Sequence, residues 1–355
     1  MKIIQIMPEF GLAGAETMCE NLTYELVKMG HEVIVISLYD FHSIITKRLE
    51  SKRVKVLYLN KKPGLDFSMI RKLFFIFKNE KPDVIHTHRY VMQYAIPAAV
   101  LAKVKRRVHT IHNVAKKENT KIARKFNFLF YKFAHVIPVA LSEEVQKTVI
   151  DEYRIQREKV PIVFNGIDLS KCQIKQDYDI QNYFKILHIG RFSEQKNHED
   201  LISAFSIHHE KYPNSKLLLI GDGEKRVDIE NRVSALGLDG AVEFLGLQSD
   251  VYGYLTHSDI FILPSIYEGI PMTLIEAMGT GLPIIATAVG GVPDMLENKT
   301  EALIVDCDVV KIAEALDILY SDKDLRKRLG KKALVRSDEF SAKIMAQKYE
   351  EIYLL

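Results

Sequence analysis

The 355-residue chain has only three cysteines, Cys19, Cys172 and Cys307. So few and so far apart, they make neither a disulfide framework nor a metal site, and a reducing, cytoplasmic compartment is expected. No apolar run approaches the roughly 18 residues that a spanning helix needs. The chain opens directly on a strand-like run, Ile3-Ile4-Gln5-Ile6-Met7, from which no secretory leader is read. Short repeats and low-complexity tracts are absent. What is present, 47% hydrophobic and 27% charged residues, is the balance of a folded globular protein, and the length points to two domains.

Charge is unevenly placed. Residues 1–170 hold 28 Lys/Arg against 17 Asp/Glu, net +11; residues 171–355 hold 21 against 29, net −8. A basic half suits an anionic membrane surface or a phosphate-rich substrate. No nucleic-acid-binding motif accompanies the charge, so nucleic acid is not an expected partner. Lys103, Lys105, Arg106, Arg107, Lys116, Lys117, Lys121, Arg124, Lys125 and Lys132 mix with Phe126, Phe128, Leu129, Phe130, Tyr131 and Phe133. Such a helix can lie in a membrane interface or bury its aromatics in a domain core, and the sequence leaves both readings open.

Strand-like segments alternate with helical patterns throughout, which predicts α/β, doubly wound, parallel sheets with helices on both faces. Strands are expected at 2–7, 32–38, 54–58, 83–87, 107–111, 135–139 and 160–163, then at 185–189, 215–220, 242–245, 259–263, 283–286 and 302–305. That is too many for one ordinary sheet. The polar segment 167–183 reads as a linker between domains at 1–166 and 184–340, with a final helix at 341–355.

Ligands of such folds bind at the carboxyl ends of the strands. The first turn, Gly11 to Glu16, reads G-x-x-G-A-E and lacks the third glycine of the dinucleotide fingerprint, which argues against a dehydrogenase. His86, His88 and His112 stand at strand ends, yet no carboxylate or cysteine joins them at ligand spacing, so no metal is expected. Arg191 and Lys196 occupy a strand-to-helix turn, where they suit a diphosphate. Asp306-Cys307-Asp308 reads as a loop and helix cap. The densest stretch is Pro264 to Pro293: a loop with Glu268 and Gly269, Pro271 at a helix start, Glu276 on the helix, a stop at Gly279 and Gly281, and Gly290-Gly291 after the next strand. A helix N-terminus attracts phosphate, and Glu276 lies about 7 Å along the axis from it, so two carboxylates could flank one anion site.

Taken together, G-x-x-G-A-E, G-R-F-S-E-Q-K-N (190–197), G-D-G-E (221–224) and E-G-I-P-M-T-L-I-E-A-M-G-T-G-L-P-I-I-A-T (268–287) resemble the retaining glycosyltransferases of family 4, or glycosyl transferases group 1, of the bacterial surface-polysaccharide type. The resemblance implies a GT-B fold: two Rossmann-like domains facing across a cleft, an acceptor-binding first domain, a donor-binding second domain, and a C-terminal helix crossing back to the first. It implies a retaining, hexosyltransferase-type enzyme that needs no metal or other cofactor. The sugar would pass from a nucleotide diphosphate sugar, UDP ahead of GDP, to a glycan or polyprenyl-linked saccharide. Capsule, exopolysaccharide or other surface-glycan synthesis would be its setting, in the cytoplasm or on the inner face of the cell membrane.

Carried over by motif, Arg191 and Lys196 hold the diphosphate and Glu276 the ribose. Glu268 contacts the transferred sugar with the backbone of Gly269, Ile270, Pro271 and Met272 around it. Gly246 and Leu247 meet the base, Gly14 approaches the diphosphate, and His112 approaches the sugar and acceptor; His112, Glu268, Arg191 and Lys196 form the catalytic set. Where many members read E-G-F-G, this chain reads E-G-I-P, and Pro271 brings no amide to that turn. Two rival readings are a nucleotide-sugar epimerase or hydrolase of the same fold and a non-catalytic accessory subunit.

Overall fold

The computed structural model describes residues 1–11, 14–114 and 120–355. Leu12 and Ala13 of the first glycine turn, and Lys116 and Lys117 of the basic stretch, lie outside the described residues. The chain divides into two units, Met1–Gly166 with Ala342–Leu355, and Ile167–Ser341.

The first unit runs β1 (Lys2–Met7), α1 (Gly14–Lys28), β2 (Glu32–Ser37), α2 (Ile44–Ser51), β3 (Lys55–Tyr58), α3 (Ser68–Glu80), β4 (Val84–His88), α4 (Met92–Leu101), β5 (Arg106–Ile111), α5 (Lys121–Phe133), β6 (Val136–Ala140) and α6 (Glu143–Tyr153). Its sheet is parallel in the order β3-β2-β1-β4-β5-β6. Both faces are covered, so the strands are apolar on both sides. Ile3, Met7, Val33, Val84 and Val108 pack on one face with Met18, Leu22 and Leu26 of α1. Ile4, Ile6, Ile34 and Ile85 pack on the other with Leu73 and Phe77 of α3.

The second unit runs β7 (Phe184–Ile189), α7 (His198–Lys211), β8 (Ser215–Ile220), α8 (Arg226–Ala235), β9 (Val242–Gly246), α9 (Tyr252–His257), β10 (Ile260–Leu263), α10 (Met272–Thr280), β11 (Ile284–Thr287), α11 (Val292–Met295), β12 (Leu303–Val305), α12 (Val309–Ser321) and α13 (Lys323–Ser337). Its parallel order, β12-β11-β10-β7-β8-β9, repeats the first unit's topology strand for strand. Its core joins Phe184, Ile186, Leu217, Leu219, Ile260 and Ile262 to Phe205 of α7 and Leu316 of α12. The polar segment after Gly166 packs on this unit: the Lys175 amide donates to Thr280 O at 2.8 Å and Tyr178 Oη to Gly281 O at 2.8 Å. Asp308 caps α12 by accepting from the Lys311 amide, as its place in the D-C-D triplet led one to expect.

The last helix, α14 (Ala342–Leu354), belongs to the first unit. Met345, Ala346, Tyr349 and Tyr353 enter the same apolar cluster as α1. Residues 160–163 depart from expectation. They form no strand; Ile162 makes a single parallel bridge to Ala140. Pro161 has no amide to continue the ladder, so pairing stops there.

Both sheets reverse direction of winding at one place, between β1 and β4 in the first unit and between β7 and β10 in the second. That switch point is where doubly wound sheets bind ligands. The loops that leave these four strands carry the motifs singled out above.

Candidate functional site

In the second unit the loops after β7, β8, β9 and β10 lock together through backbone contacts. The Gly190 amide donates to Ile220 O and the Gly221 amide to Gly246 O, each at 2.9 Å. Gly221 has φ +139°, and a Cβ there would stand 1.9 Å from Gly190 O. Only glycine permits so close an approach in that conformation. The loop after β10 is pinned likewise. Gly290 has φ +57°, a Cβ would stand 1.9 Å from Glu268 O, and the Gly291 amide donates to Gly269 O at 3.1 Å. The Gly290-Gly291 pair therefore serves as a backbone rest for the Glu268 turn.

On this frame Lys196 and Glu268 meet. Lys196 Nζ lies 2.6 Å from Glu268 Oε1, and Ser265 Oγ donates to the same oxygen at 2.6 Å. The Lys196 and Glu268 side chains are 15% and 5% exposed, so this is a nearly buried ion pair at the switch point. Gln195 Nε2 reaches Glu268 Oε2 at 3.5 Å and Tyr267 O at 3.0 Å, and the Ile266 amide donates to Gln195 O at 2.9 Å. Ser265 and Gln195 were not singled out in the sequence. The short spacings Ser265–Glu268 and Gln195–Lys196 are the signal that could have found them.

Pro271 takes the position just before α10 with φ −73° and ψ 119°, and the helix itself begins at Met272. The proline thus opens the helix one residue earlier than its first turn, and Leu274 N closes on Pro271 O at 3.1 Å. Ile270 and Met272 beside it are buried. Thr273 Oγ1, in the first turn, is buried without a hydrogen-bond partner among the described residues. Glu276 is half-buried on α10. Burial pushes its carboxyl up to about 7; Asp250 adds to the rise and Lys171 opposes it.

Arg191 stands apart from the Lys196–Glu268 pair. It is exposed and bonds Glu224, Nη2 to Oε2 at 3.0 Å. Gly246 has φ +67°, and Leu247 beside it is 73% exposed. The G-R-F and G-D-G-E motifs are thus joined by one surface ion pair and by the Phe192 amide donating to Asp222 O at 3.0 Å.

The first unit's edge is built differently. Gly14 opens α1, and Glu16 in its first turn is buried with Oε1 2.7 Å from Arg89 Nη1. Burial raises the Glu16 pKa, and Arg89 opposes the rise. Arg89 follows β4 in the left-handed region at φ +57°. His112 follows β5 and lies 3.1 Å from His88, Nε2 to Nδ1. Burial, with a smaller push from His109 and Arg89, lowers His112 to about 3, so it is neutral at pH 7. The ring nitrogens of His86 and His88 bond Tyr353, Thr110, His112 and Gln5. Among the described residues no three His, Cys, Asp or Glu side chains are placed to hold a metal ion.

Two family models match the chain in tandem: Glycosyltransferase Family 4 over residues 12–171 and Glycosyl transferases group 1 over residues 170–336. The chain belongs to this glycosyltransferase family. As a glycosyltransferase it is a sugar-transferring enzyme, and its two Rossmann-like units are those of the GT-B fold. Among curated relatives it is 28% identical over 311 residues to an uncharacterized glycosyltransferase, MJ1059, of Methanocaldococcus jannaschii, covering 79% of this chain and 74% of that one. It is 29% identical over 278 residues to the UDP-Gal:alpha-D-GlcNAc-diphosphoundecaprenol alpha-1,3-galactosyltransferase of Escherichia coli, covering 73% and 72%. Its fold matches that of Anabaena Alr3699/HepE, solved with UDP and glucose, with TM-score 0.86 at 19% identity over 99% of this chain and 98% of that one.

Proposed function

We propose that this glycosyltransferase moves a hexose from a UDP-sugar to a lipid-linked saccharide with retention of configuration, in the assembly of a bacterial surface glycan. The observation that carries the reading is the nearly buried Lys196–Glu268 pair at the second unit's switch point, with the α10 N-terminus behind it. An ammonium there neutralises a departing diphosphate, and the first-turn amides and Thr273 Oγ1 add donors for it. Arg191, on its exposed arm, exchanges Glu224 for a phosphate oxygen. Glu268 accepts from sugar hydroxyls, and Glu276 in its ionised form accepts from the ribose diol. Gly246 and Leu247 offer backbone and an apolar side chain to the base. In the first unit Gly14 approaches the diphosphate and neutral His112 meets the sugar and acceptor. No metal is required, because side chains and helix amides supply the charge stabilisation. Same-face attack, with the leaving diphosphate oxygen taking the acceptor proton, gives retention without a protein nucleophile.

The lipid-linked acceptor is supported by the relative from Escherichia coli, whose name specifies a diphosphoundecaprenol substrate, and by helix α5. Ile122, Phe126, Leu129 and Phe133 are exposed and fall within about 60° of one another around the helix at 3.6 residues per turn. Lys121, Lys125 and Lys132 are exposed on the adjoining strip. Phe128, Phe130 and Tyr131 turn the other way and pack against the core. The stripe of exposed apolar side chains edged by ammonium groups fits an anionic membrane surface. No helix among the described residues is long and apolar enough to cross a membrane.

The test is incubation with UDP-, GDP- and ADP-sugars and a polyprenyl diphosphate saccharide, reading nucleoside diphosphate release and the anomeric configuration of the product by NMR. An α-linked product from an α-linked UDP-sugar is expected. Release that is independent of acceptor, or an inverted product, would overturn the reading. Phe126→Ser with Phe133→Ser should abolish sedimentation with anionic vesicles and leave transfer to a short-chain soluble acceptor unchanged. Equal sedimentation of this variant and the wild type would remove the membrane part.

A further inference from the structure

The carboxyl end of β3 leads into a loop, 60–67, that is tied down from several sides. The Lys61 amide donates to Leu38 O at 2.8 Å, and the Lys61 side chain is buried. Its ammonium donates to Tyr39 Oη at 3.2 Å, to Lys62 O at 2.9 Å and to Gly64 O, which uses its three hydrogens. Gly64, at φ +76°, lets the chain fold back on that ammonium. Asp66 Oδ2 accepts from the Lys62 amide at 3.0 Å. Its Oδ1 accepts from the Ser68 amide at 3.1 Å and the Ser68 hydroxyl at 2.6 Å, and the Asp66 amide donates to Tyr94 Oη at 3.3 Å. This frame nevertheless turns two large apolar side chains outward: Leu65 is 71% exposed and Phe67 73%. Phe75, also exposed, lies within about 80° of Phe67 around α3 at 3.6 residues per turn. A lone exposed leucine is ordinary, but an apolar cluster held out by a loop with its own buried ammonium calls for a partner.

Charge identifies the partner. Residues 60–79 carry Lys61, Lys62, Arg71, Lys72 and Lys78 against a single carboxylate, Asp66, which is occupied within the loop. Lys61 and Lys72 are turned inward, Lys72 onto Leu59 O at 2.6 Å, whereas Lys62, Arg71 and Lys78 are exposed. Arg71 stands 5.7 Å over the Phe75 ring, an arrangement in which an apolar body carries a cation at its rim. The helices place this patch as well. Leu73 and Phe77 of α3 pack on Tyr94, Ala95 and Ala98 of α4, and Met92 and Ile96 of the same helix pack on Phe130 and Tyr131 of α5. α4 thus lies between α3 and α5, and the loop belongs to the helical layer that carries the exposed stripe of α5. We infer that Leu65 and Phe67 insert into the apolar boundary of an anionic lipid bilayer, with Lys62, Arg71 and Lys78 on the headgroup phosphates. The loop follows β3 at the sheet's ligand edge, so this seat brings that edge to the bilayer surface. Its value for a lipid-linked acceptor rests on the function proposed above; the insertion itself does not.

The sequence contains no tryptophan, so Phe67→Trp gives the full chain its sole indole. With phosphatidylglycerol vesicles its emission should move to shorter wavelength and be quenched by lipids brominated in the acyl chain. Phosphatidylcholine vesicles should have little effect. Val335→Trp, at an equally exposed position on α13 of the second unit, should respond to neither. Leu65→Ser with Phe67→Ser should lower partition onto phosphatidylglycerol vesicles about tenfold or more, with the melting temperature and transfer to a short-chain soluble acceptor unchanged. A tryptophan at 67 that stays open to aqueous iodide on these vesicles overturns the inference and leaves the loop to a protein partner. An equal response at 335, or unchanged partition of the double serine variant, overturns it too. If sedimentation survives in Phe126→Ser with Phe133→Ser while the indole at 67 still inserts, the α5 reading falls and this one stands. Because insertion is read without turnover, a chain that transfers no sugar would fail the proposed function and still answer this question.

Discussion

The second unit arms its switch-point edge with charge, Lys196 on Glu268 and Arg191 on Glu224, and holds it with backbone-to-backbone glycine contacts. The first unit, with the same strand order, sets one ion pair, Glu16 on Arg89, beside neutral histidines buried beneath α1 and α14, and leads its edge to His112. One topology thus carries two chemistries. A charged, rigid edge suits a ligand of fixed charge, a diphosphate. An edge led by hydrogen-bonded, neutral histidines suits hydroxyls. The difference lies in which side chains the strand ends present and not in the fold.

The largest expected effect tests the rigidity of the second edge. Gly290→Ala forces a Cβ to 1.9 Å from Glu268 O at a positive φ, so unit two should lose about 3 kcal/mol or more in chemical denaturation. A loss below about 1 kcal/mol would mean that the loop yields easily and that the comparison overstates its rigidity.

The next test separates the edges by pH. Glu276 titrates at about 7 because burial disfavours its ionised form. A carboxyl raised in the folded state contributes stability that is complete below its unfolded value of 4.5 and is lost as pH rises through about 7. Stability should therefore decline between those values and flatten in Glu276→Gln. Affinity for a UDP-sugar, followed by calorimetry, should move the other way, rising through about pH 7 as the carboxylate forms, and Glu276→Gln should bind weakly at every pH. His112, lowered to about 3, should not titrate over this range. A histidine-centred transition near neutral pH would break the contrast between the edges.

A smaller effect is expected at the rim. Arg191 and Glu224 are 73% and 56% exposed, so Arg191→Ala should leave the denaturation midpoint where it is. Donor affinity should fall about tenfold with the loss of one charge-assisted contact. Unchanged affinity would restrict the diphosphate site to Lys196 and the α10 terminus.

The order and type of almost every element could be read from alternation of apolar runs with helical patterns, because strands buried on both faces announce themselves as unbroken Val, Ile and Leu. The reading failed at 160–163, where an apolar run contains Pro161 and only one bridge forms. On the second unit the candidate site was legible because its chemistry sits on charged residues beside glycines at fixed spacing. Ser265 and Gln195, which hold Glu268, were missed: they are polar residues of common type, marked only by their nearness in sequence to Glu268 and Lys196. The contacts of His88 with Gln5 and with His112 were invisible for another reason. Gln5 lies on β1, His88 on β4 and His112 just past β5, far apart in sequence, and only the sheet register brings them together.

The central claim is that Lys196, released from Glu268, receives the diphosphate of a nucleotide sugar. Calorimetric titration of a UDP-sugar into the wild type and Lys196→Ala, each first checked for folding by denaturation, tests it most directly. Saturable one-site binding by the wild type, weakened about 100-fold or lost in the variant, is the predicted result. Equal affinity in a folded Lys196→Ala, or no binding of any nucleotide sugar by the wild type, would contradict it.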